Sequence, residues 1–220
     1  GGQDALSFRS YGPYLLLGGQ GHRTGENREG GCYRKLEQAA REFYPESRVA
    51  ARWSAQDCMT ADGVPLIGPY AASRPDWYVA TGFQKWGMSS AMTAAMLLRD
   101  KICGRENPWQ QVFDPSRFSM EEVHQIARDS AEAVKGLTRR FFHIPDKTAA
   151  AIARGRGAVV DTPEGKAGVY KDEEGTLFQV DIVCPHLGCQ LAWNQEERSW
   201  DCPCHGSRFD YRGVLLDGPA

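Results

Sequence analysis

Along the first half of the chain, apolar and polar positions follow two rhythms, one of strands and one of helices. Residues 14–17 (YLLL) are a short apolar run behind Gly12-Pro13 and read as a strand. Cys32, Leu36, Ala39, Ala40 and Phe43 recur at helical spacing until Pro45 stops them, which predicts a helix over 32–44. Residues 48–53 and 77–80 read as further strands. Glycines punctuate 81–87, and the helix expected over 88–102 places Met88, Ala91, Met92, Ala95 and Ile102 on one apolar face. Ser119 and Glu122 then make a capping box, with Phe118 able to staple onto Val123, so another helix is expected to start there. It ends among Lys135, Arg139 and Arg140, where the helix dipole favours cations. Its apolar positions (Val123, Ile126, Val134, Leu137) are few, as befits a connector. From Ile144 the pattern changes to short strands divided by turns, at 158–161, 168–170, 177–181 and 190–193. The expected fold class is α+β, with a mixed α/β part over 1–118, a helical linker over 119–143 and a small all-β domain over 144–220.

Composition narrows the choice of partners. With 26 Lys+Arg against 28 Asp+Glu, the net charge of −2 creates no field that would draw nucleic acid or an anionic membrane. The longest nearly uninterrupted apolar run, 91–98, is far shorter than the ~20 residues that span a bilayer, so no membrane span is expected. The chain starts without Met or the features of a secretory signal and stops on turn residues after Leu216, so it is expected to be a fragment of a longer protein.

The seven cysteines are unevenly spread. Cys32, Cys58 and Cys103 are scattered and are expected to pack as small buried hydrophobes, whereas Cys184, Cys189, Cys202 and Cys204 are interleaved with histidines. The second group reads Cys184-x-His186, fifteen residues, then Cys202-x-x-His205. Two thiolates and two imidazoles on two loops suit a [2Fe-2S] cluster, with both sulfurs on one iron and both imidazoles on the other. A Cys₂His₂ set also suits tetrahedral zinc. Zinc ligands usually come as Cys-Cys and His-His pairs, however, while each loop here supplies one of each.

The string Cys202-Pro-Cys-His-Gly-Ser207 resembles the Rieske family, and the resemblance covers 144–220. It implies that Cys184, His186, Cys202 and His205 are the cluster ligands. It also implies a Cys189–Cys204 disulfide clamping the two loops, with Leu187, Gly188 and residues 218–220 shielding the cluster. Two neutral imidazoles in place of thiolates make reduction easier, which is why Rieske potentials run from about −150 to +300 mV. In high-potential members a Ser and a Tyr hydroxyl donate to the cluster sulfurs. Ser207 matches the first, but Phe209 stands where the Tyr would be, so a lowered potential is expected.

Residues 52–57 (RWSAQD), 60–68 (TADGVPLIG) and 80–88 (ATGFQKWGM) resemble the C-terminal half of FAD-dependent oxidoreductases of the D-amino-acid-oxidase superfamily. The whole chain thus resembles bacterial FAD-dependent oxidoreductases that carry a C-terminal Rieske domain. The extra cysteine pair argues against ring-hydroxylating oxygenases, and an α/β part stands where a cytochrome bc subunit has its membrane helix. The resemblance implies FAD and a [2Fe-2S] cluster as cofactors, a small amine-like substrate and a separate electron acceptor. A bridge between Cys189 and Cys204 is unusual for a reducing cytosol, but one buried with the cluster can persist there, and with no export signal the bacterial cytoplasm is the expected compartment. Gly82, Phe83, Trp86, Gly87 and Met88 are the expected flavin contacts. A strand end, a glycine turn and a helix start there would aim N–H groups at the anionic edge of a reduced flavin, although an ordinary strand-to-helix turn has the same pattern.

Gly19, Gly21 and Gly25 do not make a phosphate-binding loop, because a polar loop follows them where a helix should open. His22 and Arg23 lie in a region that approaches the flavin in the resembling enzymes, and a solvated pair is the plainer alternative. Asp57 and Asp62 read as turn and cap residues. The competing reading of the whole is an electron carrier whose α/β part is a docking platform without turnover.

Overall fold

The computed structural model describes residues 5–117, 149–163 and 165–220, and the chain divides into two compact units, Gly1–Trp53 with Ala131–Ala220 and Ser54–Ser130. The helix expected from Ser119, and the linker with it, lie outside the described residues. No helix among the described residues is long and apolar enough to cross a membrane.

The first unit opens with an antiparallel hairpin of β1 (Ser7–Tyr11) and β2 (Tyr14–Gly18), turned at Gly12 with φ +55°, a conformation that glycine adopts without strain. Helix α1 (Cys32–Phe43) follows the predicted periodicity, and its Phe43 meets Phe8 of β1 edge-on at 5.4 Å. The strand expected over 48–53 does not form, and residues 44–65 hold only turns and irregular chain. No neighbouring strand offers that segment a ladder. Arg52 instead reaches back to Glu37 at 3.1 Å and lies over the Tyr33 ring.

The all-β part comprises two antiparallel sheets that share one core. The first is β5 (Arg156–Thr162), β6 (Gly165–Lys171) and β7 (Leu177–Asp181). The second runs in the order β11-β10-β9-β8, with β8 at Ala192–Asn194, β9 at Ser199–Asp201, β10 at Arg208–Asp210 and β11 at Leu215–Asp217. The strand expected over 190–193 starts only at Ala192, because Gln190 pairs with Val183 in an isolated bridge. Tyr170, Ile182, Leu191, Trp193, Trp200 and Phe209 fill the core together with Cys184, Cys189 and Cys202. Trp200 is wholly buried, 4.8 Å from Trp193. A side chain at Gly168 would meet Ile182 at 2.7 Å and Trp200 at 2.8 Å, so glycine is what lets β6 lie this close to the tryptophan floor.

The second unit is a hairpin of β3 (Leu66–Ala71) and β4 (Arg74–Thr81), a short 3-10 turn at Gln84–Trp86, α2 (Gly87–Ile102) and a single turn α3 (Gln110–Phe113). The face of α2 differs from the expected one. Ala94, Leu97 and Asp100 are buried, with Ala94 and Leu97 packed on Ile67 of β3, while Met88, Ala91, Met92, Ala95 and Ile102 are exposed. Methionine, alanine and leucine occupy almost every side of this helix, so periodicity had no polar face from which to orient it.

Asp62 is a turn residue as expected, accepting the Val64 N–H at 3.0 Å. Arg117 also holds it bidentately, at 2.9 and 3.0 Å, while bonding the carbonyls of Pro65 and Val64. The Arg117 guanidinium holds the Asp62 carboxyl at about 2, below its ordinary 3.8. A depressed carboxyl stabilises the fold above its unfolded value and loses that contribution as pH falls through the folded one. Asp62→Asn is therefore expected to cost on the order of 1–2 kcal/mol at neutral pH. In urea denaturation the deficit against the unsubstituted protein should shrink as the pH is lowered through about 2. Asp57 is exposed.

The three scattered cysteines are not core residues: Cys58 and Cys103 are exposed and Cys32 is half-buried. Two of them sit at helix ends and the third in irregular chain. Cys103 closes α2, Cys58 lies in the irregular stretch against Thr81, and Cys32 is the first residue of α1.

Candidate metal centre

Two loops of the same construction rise from the β core. The first runs from Cys184 to Cys189, and the second, from Cys202 to Ser207, joins β9 to β10. In each, the leading cysteine donates its N–H to the carbonyl five residues on, Cys184 to Cys189 at 2.9 Å and Cys202 to Ser207 at 2.7 Å. In each, the glycine four residues on donates back to that cysteine's carbonyl, Gly188 to Cys184 at 2.9 Å and Gly206 to Cys202 at 3.1 Å. Both glycines are left-handed, at φ +78° and +82°. A leading cysteine and a glycine four positions later are thus what close each knuckle.

The knuckles hold their cysteines and histidines at two levels. Cys184 and Cys202 are buried in the core, whereas His186 and His205 are exposed, with ring centroids 4.8 Å apart and planes at 82°. Cys189 and Cys204 form the expected disulfide between the loops, and the Cys202 sulfur lies within 4.8 Å of both of its sulfurs. A disulfide sulfur is not a thiolate, so the bridging pair has no ligand capacity even though it stands beside Cys202. On these two loops, Cys184, Cys202, His186 and His205 are the groups that could hold a metal.

The surroundings fit an iron–sulfur group. Burial pushes the Cys202 thiol up, the N–H groups of His205 and Cys204 oppose that, and the adjacent Cys184 sulfur adds to the rise. A sulfur buried as Cys202 is ionises readily only against a cationic centre. The Ser207 hydroxyl is fully buried and has no hydrogen-bond partner among the described residues, as a donor to a cluster sulfur would be. Phe209 is buried in the same core with no hydroxyl to offer. Residues 218–220 do cover the second loop: a Cβ on Gly218 would stand 2.5 Å from the Ser207 Cα, and Ala220 packs on the core. Leu187 is 60% exposed beside the histidines.

Beneath the second loop lies a polar network that sequence reading missed. Buried Asp201 accepts from Asn194 at 2.9 Å, Ser199 at 2.7 Å and Arg208 at 3.3 Å. Arg208 also meets Glu197 at 3.7 Å. The one available signal was a charged residue directly before a ligand cysteine.

Gly82, Phe83, Trp86, Gly87 and Met88 come together as the single turn between β4 and α2. Gly82 is left-handed at φ +76° and pressed against Thr60, whose buried hydroxyl has no hydrogen-bond partner among the described residues. No side chain caps the first N–H groups of α2, and Trp86 and Met88 are exposed. Uncapped N–H groups behind a glycine turn suit the anionic edge of a flavin. His22 hydrogen-bonds the Gln20 carbonyl at 3.1 Å and lies 3.8 Å from the Cys32 sulfur.

A disulfide-clasped pair of knuckles, each offering a buried cysteine and an exposed histidine, is the arrangement that a [2Fe-2S] domain with mixed cysteine and histidine ligation requires. Residues 144–220 match the Rieske [2Fe-2S] domain and residues 4–101 the FAD dependent oxidoreductase family, so this chain belongs to the Rieske iron–sulfur proteins and carries a flavoprotein segment before its cluster domain. These matches imply a [2Fe-2S] cluster and FAD as its cofactors. The chain is similar to the Rieske 2Fe-2S iron-sulfur protein YhfW of Bacillus subtilis (strain 168), 39% identical over 208 residues, 94% of this chain and 41% of that protein. It is also similar to the chloroplastic cytochrome b6-f complex iron-sulfur subunit of Fritillaria agrestis, 40% identical over 189 residues, 84% of this chain and 72% of that protein. Among solved structures, the plasma membrane Rieske protein PetC3 of Synechocystis PCC 6803 matches with a TM-score of 0.28 and 35% identity, over 29% of this chain and 66% of that one. The chain thus spans less than half the length of the YhfW relative.

Proposed function

We propose that this protein oxidises a small, amine-like substrate at FAD and passes the electrons singly through the cluster to a separate acceptor in the bacterial cytoplasm. FAD supplies two-electron chemistry and the cluster one-electron transfer. Cys184, His186, Cys202 and His205 are the proposed ligands. Gly82, Phe83, Trp86, Gly87 and Met88 are the proposed flavin contacts. The domain limits we propose are 1–118, 119–143 and 144–220.

One observation carries the reading: two buried cysteines lie beneath two exposed histidine rings in a chain whose preceding segment matches an FAD-dependent oxidoreductase. The buried Cys184 and Cys202 would hold a cluster on the core side, and the exposed His186 and His205 would hold it on the surface side, where it would supply one-electron transfer to a partner. The test is to add amines anaerobically to the FAD- and cluster-loaded full-length protein. Substrate-dependent flavin bleaching followed by cluster reduction is expected, and a protein that only carries electrons would show no bleaching with any amine.

Phe209→Tyr is expected to raise the cluster potential by roughly 20–60 mV, the worth of one hydrogen bond to the reduced form in a one-electron couple. Protein-film voltammetry reads it directly, and an unchanged potential would show that position 209 does not tune the cluster.

A further inference from the structure

We infer that residues 21–33 are a clasp that seats the flavin-side segment on the second ligand loop, with Glu196 as the residue that closes it. Helix α1 begins after Gly31, a left-handed residue with no side chain to cap the first N–H groups. Those orphan donors need an acceptor, and it comes from far along the sequence. Glu196, in the turn between β8 and β9, takes the Cys32 N–H on Oε2 at 3.1 Å and the Tyr33 N–H on Oε1 at 3.1 Å. The Asn27 amide donates to the same Oε2 at 3.0 Å. Burial alone would raise the Glu196 carboxyl, but the donors of Asn27, Gly31, Tyr33 and Cys32 hold it below its ordinary value. A carboxylate at a helix N-terminus is also favoured by the helix dipole.

Two further contacts carry the clasp to the metal centre. The Tyr33 hydroxyl donates to Glu197, Glu197 meets Arg208 at 3.7 Å, and Arg208 reaches Asp201, the neighbour of Cys202, at 3.3 Å. Gly25 is buried at φ +84°, and a Cβ there would lie 2.9 Å from the Cβ of Pro203, the residue between Cys202 and Cys204. A side chain at either Gly25 or Gly30 would push the two surfaces apart, since Gly30 stands 2.8 Å from the Glu196 Cγ in the same sense. Glu196 is a positioning residue: it touches neither cofactor, and it fixes the segment that contacts the ligand loop. The consequence for electron entry at this face rests on the proposed flavin-to-cluster transfer, whereas the clasp itself does not.

Hydrogen exchange on the cluster-loaded protein tests the clasp. In Glu196→Ala the Cys32 and Tyr33 amides should exchange roughly tenfold faster, with a smaller rise in Glu196→Gln, which keeps one acceptor oxygen. Core amides of Val160 and Val169 should remain unchanged, showing that the fold is intact. In the FAD-loaded full-length protein, Glu196→Ala should slow flavin-to-cluster transfer about tenfold at an unaltered cluster potential. Unchanged protection at Cys32 and Tyr33 overturns the clasp. Faster exchange with undiminished transfer overturns its positioning role. Absence of transfer in the unsubstituted protein counts against the functional reading alone, and the exchange result still decides the clasp.

Discussion

Serine at Cys184 or Cys202 is expected to leave the purified protein without iron or sulfide, a loss of essentially all cluster rather than a shift in its properties. Both cysteines are buried in the core that Trp200, Ile182 and Leu191 help fill, so water is kept from taking the place of either sulfur. A serine hydroxyl is a poor ligand there, because ionising it in an apolar site is far costlier than ionising a thiol. His186→Ala and His205→Ala should be milder, since both imidazoles are exposed and water or buffer can reach the outer iron. Iron, sulfide and zinc analysis with visible spectra checks this. Full iron content in Cys184→Ser would remove that residue from the ligand set, and stoichiometric zinc in the unsubstituted protein would replace the cluster reading altogether.

The second large effect is expected at the disulfide. Cys189 and Cys204 are 15 residues apart, and their bridge joins two knuckles that contain no regular structure besides their own turns. Closing a loop of that size is worth about 3 kcal/mol through the unfolded chain, and here the stabilised region is the site itself. Cys189→Ser, alone or with Cys204→Ser, should therefore lower the midpoint of cluster loss on heating by several degrees and hasten bleaching in air. The ligand thiols are untouched, so the freshly made variant should still show the cluster spectrum. Bleaching rates equal to those of the unsubstituted protein would show that the paired knuckles hold the site without their bridge.

How far the sequence could be read follows from what carried each signal. Helix α1 and strands β5 to β7 were legible because each has a clear period and a stop: Pro45 after the helix, and turns between the strands. The two proposed ligand loops were legible because their signal is local, a cysteine and a histidine on each short loop closed by a glycine. Strands β9, β10 and β11 were not anticipated, since three residues each are too few to show alternation. The segment 48–53 misled for a different reason: its short apolar run reads as a strand, but among the described residues it pairs with none. Helix α2 was placed correctly and turned the wrong way, because its apolar residues surround it and Ile67 on a separate hairpin decides which of them are buried. Glu196 could not be found at all from its own neighbourhood. Its partners, Asn27, Cys32 and Tyr33, lie more than 160 residues away in the chain and meet it only in the fold.

The orphaned Ser207 hydroxyl shows the limits of local reading in another way. Its identity was visible in the sequence, but its complete burial without a partner among the described residues is a property of the packed core. That burial is what ties it to a group the protein binds.

The central claim is a two-iron cluster held by two cysteines and two histidines, and pulsed EPR of the reduced protein tests it most directly. With histidine labelled by nitrogen-15, couplings from two imidazole nitrogens are predicted on the reduced centre. Substituting either His186 or His205 should abolish one of them. A reduced cluster without histidine nitrogen coupling, or couplings that survive the loss of both residues, would contradict the account.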